Sequence, residues 1–251
     1  MTAPALLEVC DLSYAYGDHV AVDGMSFTLR RGEALGLLGP NGAGKTTTFS
    51  CLAGLRRPRS GELRLEGRTF LPFACDTDRA VLGLVPQEVS LYADLTAREN
   101  LAFFGRIQGV APEELDDRIA AALTLAGLED RADHRIATFS GGMKRRLNLA
   151  VATLHQPPIL LLDEPTVGVD PHSRHHLFAA LERLRDGGTS LLYSTHAMED
   201  AQRLCDRIVV LDHGRVLAVG THEELAAGVG EPGADLETVF LHLTGRSLRD
   251  S

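Results

Sequence analysis

The stretch Ala34-Leu-Gly-Leu-Leu-Gly39-Pro40-Asn41-Gly42-Ala43-Gly44-Lys45-Thr46-Thr47 decides the fold of this chain. Its apolar first half predicts a buried parallel strand, and the residues from Lys45 to about 55 predict a helix. The glycine-rich turn between them points backbone N–H groups at one spot, where the helix dipole also favours an anion. This pattern predicts a triphosphate site in which Lys45 lies near the β and γ phosphates and the Thr46 hydroxyl binds Mg²⁺.

The composition of the chain limits the class of protein to which this turn can belong. The chain has 251 residues, 44% hydrophobic and 24% charged, which is typical of a globular protein. No apolar run is long enough to span a membrane, and the first residues lack the pattern of a signal peptide. The four cysteines form no CxxC pair, so we expect reduced thiols. A net charge of −9 disfavours a nucleic-acid partner.

Strands and helices alternate along most of the chain, which predicts an α/β fold with a mostly parallel sheet. Residues 6–38 alternate apolar and polar residues, which predicts strands before the turn. After the turn, strands are predicted at 62–66, 81–85, 159–162, 190–193 and 208–211. Helices are predicted at 96–108, 113–126, 141–155, 173–185, 197–205 and 235–244, and Thr221-His-Glu-Glu224 predicts a capping box that opens a further short helix. We therefore expect one domain over 1–251, with a core at 1–88 and 157–220, a helical subdomain at 89–156 and a C-terminal extension at 221–251.

Two adjacent acidic residues, Asp163 and Glu164, follow the apolar run Ile159–Leu162. Open α/β sheets bind their ligands at the carboxyl ends of their strands. Asp163 is therefore expected to bind Mg²⁺, directly or through water. Because successive residues of a strand point in opposite directions, Glu164 is free to accept a proton from an attacking water.

Phe139-Ser140-Gly141-Gly142-Met143 resembles the LSGGQ element of ATP-binding cassette (ABC) transporters, and the resemblance extends over essentially the whole chain. It implies the P-loop NTPase fold of the ABC ATPase type, with an antiparallel β subdomain and an inserted helical subdomain. In this family Ser140, Gly141 and Gly142 would bind the γ-phosphate of ATP held by a second subunit. Phe139 and Met143 depart from the family pattern, and Met143 cannot supply the amide of the usual glutamine.

The resemblance also assigns roles to residues outside these motifs. Gln87 matches the glutamine that approaches Mg²⁺ and the attacking water, and His196 matches the histidine that contacts the γ-phosphate and steadies Glu164. Asp170 matches the loop that communicates between two sites. Tyr16 matches the aromatic residue that stacks on adenine, with Val22 as a possible second wall.

From the same resemblance we expect two copies to close head to tail on ATP and Mg²⁺, and hydrolysis to release them. Because the chain has no predicted membrane span, a separate polytopic membrane subunit is expected, contacted through residues 88–105 at the cytoplasmic face of the membrane. The segment 236–249 resembles the tails of exporters of drugs, antibiotics, polysaccharides or lipids. The alternative is a soluble ABC ATPase acting on nucleic acid or ribosomes, although the long coiled coil or second cassette typical of that class is missing.

Two polar clusters leave alternatives open. Lys144, Arg145 and Arg146 follow the glycines of the signature element, at the helix end where cations are disfavoured. They either face an anion supplied from outside or curl away towards acidic neighbours. His172, His175 and His176 have a spacing compatible with a metal site on a helix, but a solvated surface is the stronger expectation because no carboxylate or cysteine completes the set.

Overall fold

The computed structural model describes residues 5–245, and these divide by their internal contacts into two units. The first comprises the residues up to Arg79 and those from Ser190 onward, and the second spans Ala80–Thr189. The predicted division into core, helical subdomain and C-terminal extension follows other boundaries and stays a prediction. Within residues 5–245, no helix has both the length and the apolar character that a membrane crossing requires.

The first unit contains two groups of strands. One is an antiparallel sheet in the order β2-β1-β4-β5, formed by β1 (Ala5–Tyr16), β2 (His19–Arg30), β4 (Ser60–Leu65) and β5 (Arg68–Thr69). In the other, β3 (Ala34–Leu38) pairs in parallel with β8 (Ser190–Thr195) and β9 (Arg207–Asp212), and β10 (Arg215–Gly220) is antiparallel to β9. All five residues of β3 are buried, as its apolar sequence predicts.

The described residues of the first unit also form five helices: α1 (Lys45–Leu52), α2 (Asp76–Arg79), α7 (Met198–Leu204), α8 (His222–Gly228) and α9 (Leu236–Thr244). Thr221 and Glu224 form the predicted capping box at the start of α8. Buried residues of α7, α8 and α9 pack together with Leu38, Ile208 and Val210 of the sheet. The C-terminal helices are thus part of this unit's core, whereas residues 246–249 of the exporter-like tail lie outside the described residues.

The second unit holds the parallel strands β6 (Leu82–Val85) and β7 (Ile159–Asp163) and the helices α3 (Ala97–Ile107), α4 (Leu115–Ala126), α5 (Gly141–Thr153) and α6 (Pro171–Asp186). Helices α3, α4 and α5 bury one continuous apolar cluster that includes Leu101, Ile119 and Leu147. Asn100, which is fully buried at the edge of this cluster, bonds the backbone of Tyr92 and Thr96. These bonds fix the loop that leads from β6 into α3.

The mixed α/β fold class is confirmed, and most elements lie within a few residues of their predicted bounds. Three were not predicted: the edge strands β5 and β10 and the one-turn helix α2. Strand β10 alternates between exposed and half-buried residues up to the buried Gly220, so it lacks the apolar run that marks the central strands.

Candidate nucleotide site

The glycine turn between β3 and α1 has the backbone that its sequence predicts. Gly42 and Gly44 have φ of 82° and 94°, in the left-handed region that favours glycine. A Cβ at Gly44 would lie 2.5 Å from the carbonyl oxygen of Ala21, and one at Gly39 would lie 2.5 Å from that of Leu211. The turn is therefore closely packed on its inner side, and a side chain at either position would displace it.

Lys45 is held inside this turn. Its side chain is buried, and Nζ donates hydrogen bonds to the carbonyl oxygens of Gly39 at 2.7 Å and Pro40 at 2.9 Å. The ammonium group thus lies against the first residues of its own loop. Thr46, the next residue, is exposed on the first turn of α1, where its hydroxyl can bind a cation.

Tyr16 lies beside α1, and the Arg56 guanidinium packs over the face of its ring. Its hydroxyl is 3.4 Å from Oγ1 of Thr47, and the residue is 43% exposed. The Arg56 guanidinium carbon is 4.7 Å from the Tyr16 ring centroid. Nη1 of Arg56 also donates a hydrogen bond to the Tyr14 hydroxyl at 3.1 Å, and this bond raises the pKa of Arg56.

Val22 contradicts the expectation that it forms a second wall of the adenine site. It is fully buried in β2, so it presents no surface to a base. Arg56, by contrast, was missed by the sequence analysis. Nothing in the sequence marks it, because 40 residues separate it from Tyr16 and only the packing of the segment after α1 beside β1 brings them together.

His196 follows β8 and is exposed within the same unit as the phosphate loop. The backbone N–H of Gly39 donates to the carbonyl of Thr195 at 3.3 Å, so the loop begins beside the residue that precedes His196. Tyr193, fully buried in β8, donates to Asp200 of α7 at 3.0 Å. Strand and helix are therefore fixed on either side of the histidine, which lines a cavity of about 370 Å³ with Glu199 and Glu237.

In the second unit, the parallel pairing of β6 and β7 brings Gln87, Asp163 and Glu164 to one edge. Val85 pairs with Leu162, so Gln87 and Glu164 each lie two residues beyond a paired position. Asp163 and Glu164 are both buried. Glu164 has φ of 46°, an uncommon backbone for a residue other than glycine, and this turn redirects the chain directly after the strand.

Ser140 and Asp170 cap two helices whose first turns meet. Ser140 Oγ accepts from the N–H of Met143 at 3.2 Å, as expected of a helix cap. Asp170 Oδ1 accepts from the N–H of Ser173 at 3.0 Å, and this bond holds the pKa of Asp170 below its usual range. A Cβ at Gly142 would lie 2.0 Å from Oγ of Ser173, so only glycine allows α5 and α6 to approach this closely.

Two of the three residues of the basic cluster agree with the second alternative. Arg146 donates to the carbonyls of Ala126 and Gly127, at the C-terminal end of α4, where a cation is favoured. Arg145 donates to backbone carbonyls in the loop after β6 and in the loop between β7 and α6. Both side chains therefore curl towards neighbours, although these neighbours are carbonyls and not the expected carboxylates. Burial lowers the pKa of each guanidinium.

The histidines of α6 agree with the solvated alternative. The rings of His172 and His176 are 4.6 Å apart, and both residues are exposed. No set of three or more histidine, cysteine or acidic side chains between residues 5 and 245 is arranged to hold a metal ion.

Comparison with known proteins gives a consistent result. The family described as ABC transporter matches residues 22–167, more than half of the chain. The linearmycin resistance ATP-binding protein LnrL of Bacillus subtilis is 43% identical over 225 residues, which are 90% of this chain and 72% of that protein. The Nod factor export ATP-binding protein I of Paraburkholderia xenovorans is 43% identical over 94% of this chain and 77% of its own length.

Solved structures agree with these relatives. The ATP-binding subunit of an ABC transporter superposes with a TM-score of 0.86 at 36% identity, covering 95% of this chain and 99% of the other. A dimeric structure of a bacterial ABC transporter cassette superposes with a TM-score of 0.76 at 26% identity, covering 86% of this chain and 98% of the other. The chain belongs to the ABC transporter family, as an ATP-binding subunit with ATPase activity.

Proposed function

We propose that this subunit powers an exporter of a drug, antibiotic, lipid or polysaccharide, working at the cytoplasmic face of the membrane with a separate polytopic membrane subunit. The observation that carries the export direction is the 43% identity, over 94% of the chain, to a Nod factor export ATP-binding protein. The similarity to a linearmycin resistance ATP-binding protein supports a drug or antibiotic as the exported molecule.

In the first unit, the backbone from Gly39 to Thr47 would bind the phosphates of ATP. When ATP binds, Lys45 would exchange a carbonyl contact for the β and γ phosphates, because a charged phosphate oxygen is the stronger acceptor. The exposed Thr46 hydroxyl fits a Mg²⁺ ligand, and Tyr16 would stack on adenine.

In the second unit, the buried Asp163 carboxylate and the Gln87 amide fit the oxygen ligands that Mg²⁺ prefers. When bound, Mg²⁺ neutralises charge on the transferred phosphoryl group. We assign Glu164 as the base that accepts a proton from the attacking water, and His196 as the residue that contacts the γ-phosphate.

We further propose that two copies close head to tail, with Ser140, Gly141 and Gly142 of one copy on the ATP held by Lys45 of the other. The N–H groups at the start of α5 favour an anion there, and the exposed Gly141 lets it approach. Small-angle scattering of a Glu164→Gln variant tests this. A dimer at saturating ATP-Mg²⁺ and a monomer without nucleotide are expected, and a monomer under both conditions would refute the closure.

Residues 88–105 are the proposed contact with the membrane subunit. Tyr92 is 50% exposed and packs against Phe103 and Phe104, with ring centroids 4.9 and 5.9 Å away. Such an aromatic cluster suits a protein interface. Purification of the tagged chain from detergent-solubilised membranes tests the proposal. A polytopic membrane protein should copurify, whereas ribosomes without one would support the soluble alternative.

The Arg56 contact yields a prediction about ATP affinity. Arg56→Gln should weaken ATP binding by roughly two- to fivefold, because it removes the cation that holds the Tyr16 ring in place. Titration with a fluorescent ATP analogue measures this. Arg57→Gln is the matched control, since Arg57 lies over Phe73 instead, 5.4 Å from its ring centroid. Equal losses in the two variants would show that only the local positive charge matters.

A further inference from the structure

Arg145 connects two loops of the second unit to the signature helix α5. Its side chain is half-buried and donates to the carbonyls of Pro86 at 3.4 Å and Gln87 in the loop after β6. It also donates to the carbonyl of Val167 at 3.4 Å in the loop between β7 and α6. One guanidinium therefore bonds the backbone of both loops, the one that follows β6 and the one that follows β7.

We propose that Arg145 is a positioning residue that holds the Gln87 loop and the loop following Glu164 in a fixed relation to α5. The inference rests on the proposed function, which assigns Gln87 and Glu164 to Mg²⁺ and the attacking water. The hydrogen bonds of Arg145 go to the main chain of Pro86, Gln87 and Val167. It acts through main-chain carbonyls, so it sets where these loops lie and takes no part in proton transfer.

The chemistry of the contact requires arginine. A guanidinium carries five N–H donors in a rigid plane, which allows it to serve acceptors in two directions at once. A lysine ammonium on a flexible stem is a point donor and cannot span both loops in one geometry. Among residues 5–245, no carboxylate pairs with Arg145, and burial lowers its pKa. Hydrogen bonds to these carbonyls thus replace the hydrogen bonds to water that the guanidinium loses on burial.

The position of Arg145 also separates its effect from ATP binding. Lys45 and the phosphate loop belong to the first unit, whereas every contact of Arg145 named here lies in the second. Loss of the guanidinium should therefore displace Gln87 and the residues after Glu164 but leave the phosphate loop intact. Because small displacements of reacting groups are costly in rate, the effect should fall on kcat.

The test compares Arg145→Met, Arg145→Lys and the control Arg118→Met. Methionine keeps an apolar stem but removes the donors, and Arg118→Met makes the same change at a half-buried arginine of the same unit, which donates to the exposed Glu114 at the start of α4. In Arg145→Met, kcat for ATP should fall roughly 10- to 100-fold with KM within about twofold. Arg145→Lys should recover little of the loss, and Arg118→Met should retain the kcat of the natural protein, because a surface ion pair contributes little to stability.

Hydrogen exchange of the same variants without nucleotide gives a second measurement. Amides at 87–90 and 166–169 should exchange faster in Arg145→Met and not in Arg118→Met, while the exchange of α1 stays unchanged. Should Arg145→Met unfold, Arg145→Ala with added methylguanidinium replaces it, and partial return of kcat is expected. An unchanged kcat and exchange in Arg145→Met, or equal losses in Arg118→Met, would overturn the proposal. Turnover retained in Glu164→Gln would instead count against the proposed base.

Discussion

Glu164→Gln is expected to lower the steady-state rate of ATP hydrolysis by roughly 10²- to 10⁴-fold while ATP binding is preserved. Glutamine has nearly the shape of glutamate but cannot accept a proton from water. Glu164 lies directly after β7 and is only 6% exposed, so a bulk base cannot easily replace it. Phosphate release under saturating ATP-Mg²⁺ gives the rate, and equilibrium binding of a fluorescent ATP analogue gives the affinity.

The matched control is Glu129→Gln, which makes the same chemical change at an exposed residue of the same unit. It should retain the rate of the natural protein. A general base accelerates its reaction by roughly 10²-fold or more. If Glu164→Gln hydrolysed ATP at more than about a tenth of the natural rate, Glu164 would therefore not be the general base. Weaker ATP binding in this variant would indicate instead that Glu164 contributes to the binding of ATP before hydrolysis.

Lys45→Ala should weaken ATP binding by roughly 10- to 100-fold, because a charge-assisted hydrogen bond contributes about 1.5–3 kcal/mol. The Lys45 ammonium already lies within the phosphate loop, 2.7 Å from the Gly39 carbonyl and 2.9 Å from that of Pro40. Calorimetric titration with ATP measures the loss. Lys144→Ala, which changes the other lysine of the chain, is the control and should bind ATP normally.

The buried position of Lys45 makes a stability measurement necessary, since its removal also takes a donor from the carbonyls of Gly39 and Pro40, of which Pro40 keeps the N–H of Ala43. Thermal unfolding without nucleotide separates loss of fold from loss of binding. A folded Lys45→Ala protein with unchanged ATP affinity would contradict the assignment of the phosphate loop.

The elements with continuous apolar runs were predictable from the sequence. Strands β3 and β7 consist almost entirely of leucine, isoleucine, alanine and glycine, and a strand covered on both faces requires such residues. The cap at Ser140 was predictable for a similar reason, because its interaction spans three residues. Strand β10 was missed because its stability comes from pairing with β9, and the pairing leaves only a weak pattern in its own residues.

The same distinction between local and long-range interactions applies to the residues of the site. The sequence alone determined the family, the phosphate loop and the residue types suited to Mg²⁺ and proton transfer, because each depends on residues adjacent in the chain. Only the tertiary structure decided that Val22 is buried, that Arg56 lies over Tyr16 and that Arg145 bonds two loops. These contacts join residues 22 to 59 positions apart, and their energies depend on distances that packing sets and no local pattern encodes.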